Sequence, residues 1–108
     1  MKSKSIVFTG PSRVEIREDE VGDPALNEFQ VQTLVTHVST GTESCCFRGE
    51  FEPGTTWADW VHYPFAVGYS NVGRVTKVGK LVVNFKEGDR VFTGMSHRQS
   101  FTLTDGLK

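Results

Sequence analysis

The side chains best equipped for chemistry in this sequence are hydroxyls. Thr40 and Thr42 stand with Glu43 in the run Thr40-Gly41-Thr42-Glu43, and Tyr69 lies between Gly68 and Ser70. A threonine hydroxyl both donates and accepts hydrogen bonds, so Thr42 is competent to pass a substrate proton. The phenol of Tyr69 could donate to a carbonyl from a pocket wall, or the ring could simply pack. Thr40 and Glu43 also carry a second reading. A Thr followed three residues later by Glu is the capping-box pattern, worth about 1 kcal/mol to a helix start. The two readings are compatible, because a cap at Thr40 would also hold Thr42 in place.

Other reactive groups are less promising. His37, His62 and His97 have no ligand-like spacing to one another or to Cys45-Cys46, so core or surface positions are expected for them. A bridge between adjacent cysteines is sterically poor. Reduced thiols and a cytoplasmic location are the expectation. Trp57 and Trp60 could cover an apolar substrate, but their spacing also fits one turn of a packed short helix.

The frame that must position these groups reads as β. Lys4 to Thr9 is a β-prone run closed by Gly10-Pro11, and Arg13 to Arg17 alternates as a half-buried strand should. Glu18 to Glu20, followed by Gly22-Asp23-Pro24, reads as a solvated loop. Phe29 to Ser39 is long and β-branched enough for a central strand, and its alternation slips near Leu34-Val35, which predicts a bulge or burial on both faces. A short helix is predicted through Cys45, Cys46 and Phe47, ended by Gly49. Residues 51–65 show no clean period and read as a long excursion over the body of the domain.

Gly68 to Gly79 is a glycine-punctuated strand, which predicts tight bends or close backbone approach. Lys86-Glu87-Gly88-Asp89 turns into Arg90 to Thr93, and a last strand is predicted over His97 to Leu103. Short strands between frequent turns argue for a barrel or sandwich. The alternation of strands and helices of a dinucleotide fold is absent, and so is the Gly-x-Gly-x-x-Gly spacing.

Composition narrows the function classes. The 108 residues fit one domain, and 37% apolar with 23% charged residues permits a packed core. Twelve basic against 13 acidic residues, a net charge of −1, leave no footprint for nucleic acid. No apolar run approaches a signal-peptide core or a membrane span.

Several elements in fixed order then stop looking generic. They are Thr40-Gly41-Thr42-Glu43, Arg48-Gly49, Gly68-Tyr69-Ser70-Asn71-Val72-Gly73-Arg74-Val75, Val78-Gly79 and Phe85-Lys86-Glu87-Gly88-Asp89-Arg90-Val91, with His97-Arg98-Gln99-Ser100-Phe101 near the end. From about Ile6 to Leu107 the chain resembles the N-terminal GroES-like domain of the medium-chain dehydrogenase/reductase superfamily, the relatives of zinc alcohol dehydrogenases. The Gly-Thr-Glu and Gly-Tyr-Ser-Asn-Val-Gly wording is most similar to bacteriochlorophyllide-dehydrogenase-type sequences.

The resemblance implies a mainly β fold, a GroES-like, partly open barrel with one or two short helices. Carried over by position, the family's zinc-binding Cys falls on Thr40, its proton-passing hydroxyl on Thr42 and its Asp on Glu43. Its Gly-His-Glu falls on Gly68-Tyr69-Ser70. Both zinc ligands are therefore replaced, and the cluster of four cysteines for a structural zinc is missing too.

The expected function is the substrate-side domain of a zinc-independent, NAD(P)-dependent oxidoreductase. It would act on an alcohol/carbonyl or enone-type small-molecule substrate through Thr42, Tyr69 and Thr40. Residues 1–108 are expected to form this one domain, with the Rossmann domain that holds the cofactor absent from the chain. Alone, the chain is expected to bind neither cofactor nor zinc, to lack turnover and to self-associate through an uncovered apolar side. The alternative is a GroES-like binding module, either co-chaperonin-like or a non-catalytic remnant.

Overall fold

The computed structural model describes residues 1–52 and 54–105. Pro53 and the last three residues, including Leu107 at the end of the resemblance, lie outside the described residues. Strands dominate, with seven strands and two short helices in the order β1 (Lys2–Gly10), β2 (Arg13–Glu20), β3 (Glu28–Thr36), α1 (Thr40–Arg48), α2 (Thr56–Trp60), β4 (Phe65–Ala66), β5 (Asn71–Val78), β6 (Arg90–Thr93) and β7 (Ser100–Thr104). They form a three-stranded sheet, β2-β1-β4, and a four-stranded sheet, β6-β5-β3-β7. Every pairing is antiparallel, and the sheets do not close into a barrel. This is the open, mainly β fold expected.

Each sheet has its own core. Phe8, Cys46, Val61 and Val67 form one, against which Phe47, Phe51, Trp57 and Tyr63 pack. Phe29, Val31, Val75 and Phe101 form the other. β3 lies inside its sheet as predicted, and its pairing with β5 shifts register between Thr33 and Val35, so the slip in alternation is a bulge. Gly73 sits on β5 where an added Cβ would run into the Val31 side chain and the Gln32 backbone. That close approach is what the glycine-punctuated strand predicted.

Three expectations need correction. Glu18 to Glu20 is not a loop. It continues β2, paired with Lys2 to Lys4, because cross-strand charges of opposite sign face each other there. β2 is not half-buried either: all eight residues are exposed, since the hairpin extends beyond the core and its alternation has nothing to face. The last strand begins at Ser100 rather than His97. Residues 97–99 bond to β1 instead, through Ile6 N–H to the His97 carbonyl at 3.0 Å, a Ser5–Arg98 bridge, and Gln99 N–H to the Lys4 carbonyl at 2.9 Å. This segment fastens one sheet to the other.

The excursion over residues 51–65 contains α2 and a chain of rings. Phe51 stacks on Trp57 at 6.0 Å, Trp57 meets Trp60 at 5.8 Å, and Trp60 meets Phe65 edge-on at 5.3 Å. Trp57 and Trp60 are thus successive ring positions on a short helix turn. No helix among the described residues is long and apolar enough to cross a membrane.

Candidate functional site

The site grows from the start of α1. The N-cap is Ser39, not Thr40, and its hydroxyl makes no capping bond. Half of the expected box survives one position earlier: Ser39 N–H donates to Glu43 Oε2 at 2.7 Å. The expected hydroxyl half is absent because Thr40 is already helical and exposed. Gly49 ends the helix as predicted, in the left-handed region at φ 67°, its N–H donating to the Cys45 carbonyl at 3.0 Å.

The other oxygen of Glu43 leads into the interior. Its Oε1 lies 2.5 Å from His97 Nε2, and both side chains are only 8% exposed. His97 is held from its backbone as well, since its N–H donates to the Val67 carbonyl at 2.9 Å. Gly68 makes room for the ring. Its φ is +104°, and a Cβ there would lie 2.7 Å from His97 Cδ2 and Nε2. A helix start, a strand crossover and a glycine turn converge on one carboxylate–imidazole pair.

Buried polar pairs of this kind are expensive unless satisfied, and here the carboxylate takes two donors. With Ser39 N–H already donating to it, Glu43 faces His97 as an acceptor. An ionised carboxylate at this contact accepts from Nε2, which leaves Nδ1 as the other ring nitrogen.

The predicted residues do not bond to this pair or to one another, and two of them are chain neighbours of residues that build it. Thr42 is half-buried and adjoins Glu43 in the chain. Tyr69 follows Gly68 directly and is 41% exposed. Thr40 is exposed at the helix start. Among the described residues, no side-chain hydrogen bond links Thr40, Thr42 or Tyr69 to any partner. Their hydroxyls are left available.

A cavity of about 570 Å³ lies between the β1–β2 hairpin and β3, lined in part by Lys4, Thr33, Thr36, His97, Arg98 and Gln99. Thr36 pairs with Asn71, so one end of the cavity adjoins the turn that carries Tyr69 and Ser70. Asn71 is fully buried and donates from Nδ2 to Thr33 Oγ1 at 2.9 Å and to the Ser96 carbonyl at 3.4 Å. Its Oδ1 and the Nε of Arg98 are buried without a partner among the described residues.

Sequence reasoning expected a core or surface role for His97 and missed its partner. Residues 54 apart share no local spacing. The one trace in the sequence was Gly68, whose missing side chain marks something large beside it.

Among the described residues no three His, Cys, Asp or Glu side chains come together as a metal site. The hydroxyls of Thr40, Tyr69 and Ser70 are poor donors for zinc, a borderline-soft ion, so these positions do not fit the family's catalytic metal. Both cysteines are free. Burial pushes the Cys46 thiol above its usual range, and the neighbouring Cys45 and Glu43 charges act in the same direction. Burial likewise raises Tyr63, whose hydroxyl donates to the Cys46 carbonyl at 2.7 Å.

Comparison with known proteins supplies the family. The family described as the alcohol dehydrogenase GroES-like domain matches residues 41–106, and the chain belongs to that family. It is 28% identical over 105 residues to 2-desacetyl-2-hydroxyethyl bacteriochlorophyllide A dehydrogenase of Cereibacter sphaeroides, covering 97% of this chain and 31% of that protein. It is also 28% identical over 106 residues to an alcohol dehydrogenase of Cupriavidus necator, covering 96% of this chain and 26% of the relative.

Among solved structures, Escherichia coli quinone oxidoreductase complexed with NADPH superposes with a TM-score of 0.63 at 25% identity, covering 94% of this chain and 31% of that one. Enoyl thioester reductase from Candida tropicalis, in a mutant form, gives 0.72 at 20% identity over 97% of this chain and 32% of its own, a likeness of fold. The chain thus spans about a third or less of the length of these relatives. It is the N-terminal type of domain of medium-chain oxidoreductases.

Proposed function

We propose that this chain is the substrate-side domain of a zinc-independent, NAD(P)-dependent oxidoreductase acting on an alcohol/carbonyl or enone-type substrate. The carrying observation is the polar site around the buried Glu43–His97 pair. Thr42 and Tyr69 adjoin Glu43 and Gly68 in the chain, and by resemblance they take the positions of the family's proton-passing hydroxyl and metal-binding His. A substrate oxygen can be polarised there by hydrogen bonds in place of a Lewis acid, with Tyr69 donating to it, Thr42 passing its proton and Thr40 flanking it.

In this reading the nicotinamide would supply the hydride when bound, held by a Rossmann domain beside this one. Strand pairing among the described residues is antiparallel, whereas a dinucleotide cradle is built on a parallel β-α-β unit. On this reading the chain works in the cytoplasm and needs a small-molecule substrate and a cofactor domain as partners for turnover.

Elemental analysis of protein purified without chelator tests the metal-free reading. It predicts no zinc above background after dialysis. Stoichiometric zinc that is lost on Thr40→Ala or Tyr69→Phe would overturn it.

A further inference from the structure

We propose that Glu43 and His97 form a proton-transfer dyad whose working atom is His97 Nδ1. The inference rests on the oxidoreductase reading for its purpose, but not for its geometry. Glu43 Oε2 accepts from Ser39 N–H, and its Oε1 lies 2.5 Å from Nε2. That arrangement assigns the Nε2 proton to the carboxylate and leaves Nδ1 to gain or lose one.

Among the described residues Nδ1 has no hydrogen-bond partner. His97 lines the cavity between the hairpin and β3, which gives the ring an open neighbour. A carboxylate that fixes an imidazole tautomer so that the opposite nitrogen faces a reactant is the orienting logic of a catalytic triad. Here the reactant is a substrate hydroxyl or enol. Its O–H bond breaks with the electron pair staying on oxygen, and an N–H bond forms at Nδ1; the reverse step donates that proton. His97 is the group that would touch substrate, and Glu43 is a positioning residue. A simple structural pin would need the Nε2 contact alone, with no reachable second nitrogen.

Nitrogen-resolved NMR of the histidine rings and peptide mapping after diethyl pyrocarbonate treatment test this on the chain itself. In the parent protein the ring proton of His97 sits on Nε2, and the reagent acylates His97 at Nδ1. In Glu43→Gln, the amide oxygen stays on Ser39 N–H and the amide NH₂ faces Nε2. That forces the proton onto Nδ1. The same exchange of tautomer is worth up to about 10⁴ in a Ser-His-Asp triad, so acylation should slow at least about tenfold.

His97→Gln keeps a donor for Glu43 and serves as the folded control without Nδ1. A ring proton found on Nδ1 in the parent, acylation confined to Nε2, or an unchanged rate in Glu43→Gln would each overturn the proposal. Neither readout involves cofactor or substrate, so failure here removes the dyad and leaves the oxidoreductase reading to its own tests.

Discussion

Replacing Glu43 with alanine strips a buried imidazole of a side-chain partner and a helix start of a side-chain acceptor. The lost charge-assisted hydrogen bond is worth about 1.5–3 kcal/mol. The lost capping bond adds about 1 kcal/mol. Leaving His97 Nε2 unpaired at 8% exposure brings the total into the range of about 3–5 kcal/mol known for breaking a buried pair. A domain of this size has about 5–15 kcal/mol in all, so the variant should sit close to unfolding. Glu43→Gln retains an oxygen for Ser39 N–H and a polar neighbour for the ring, and it should cost only about 1–2 kcal/mol. Urea unfolding followed by tryptophan fluorescence measures both. An alanine variant within about 1 kcal/mol of the parent, or a glutamine variant as damaging as alanine, would refute the claim that this pair is built into the fold.

Gly68→Ala should lose about 2–4 kcal/mol, because a Cβ at φ +104° is strained and would meet the His97 ring at 2.7 Å; thermal melting checks it, and a neutral result would mean that the ring does not fill that space. Stability should fall as pH rises through the alkaline range. Cys46 and Tyr63 are raised in the folded state, so the unfolded chain ionises first, above about pH 8.5 for the thiol and about pH 10 for the phenol, and the folded state then holds more protons. Unfolding the Tyr63→Phe variant across that range should show a shallower alkaline decline. Thiol-disulfide reagent should modify Cys45 well before Cys46, which is 1% exposed, as read by mass spectrometry. The chain should also self-associate with concentration through exposed apolar positions such as Phe92, 74% exposed on edge strand β6. Phe92→Ser should reduce that in sedimentation, and a strictly monomeric parent would contradict it.

Local chemistry made much of the fold legible. Gly49 announces a helix stop because few other residues accept φ 67°, and Gly88 at φ 92° does the same for the turn before β6. The lapse of alternation at Leu34-Val35 located a bulge. Where expectation failed, the deciding partner lay far away in sequence. The strand at Glu18 to Glu20 exists because Lys2 and Lys4 face it, and residues 97–99 leave the last strand because β1 offers them bonds. The site divided in the same manner. Thr40, Thr42 and Tyr69 could be named from motif positions, whereas the buried link between Glu43 and His97 arises only when α1 and the crossover segment are brought together by the fold.

The most direct test of the account is nicotinamide-dependent turnover, followed by NAD(P)H absorbance with an alcohol, quinone or enone. The 108-residue chain is compared with a longer protein that carries it beside a nucleotide-binding domain. The account predicts no turnover and no dinucleotide binding by the chain alone. It predicts turnover by the longer protein, falling about 10²-fold in Thr42→Val and in Tyr69→Phe. Turnover by the 108 residues alone, or a longer enzyme indifferent to both substitutions, would contradict it.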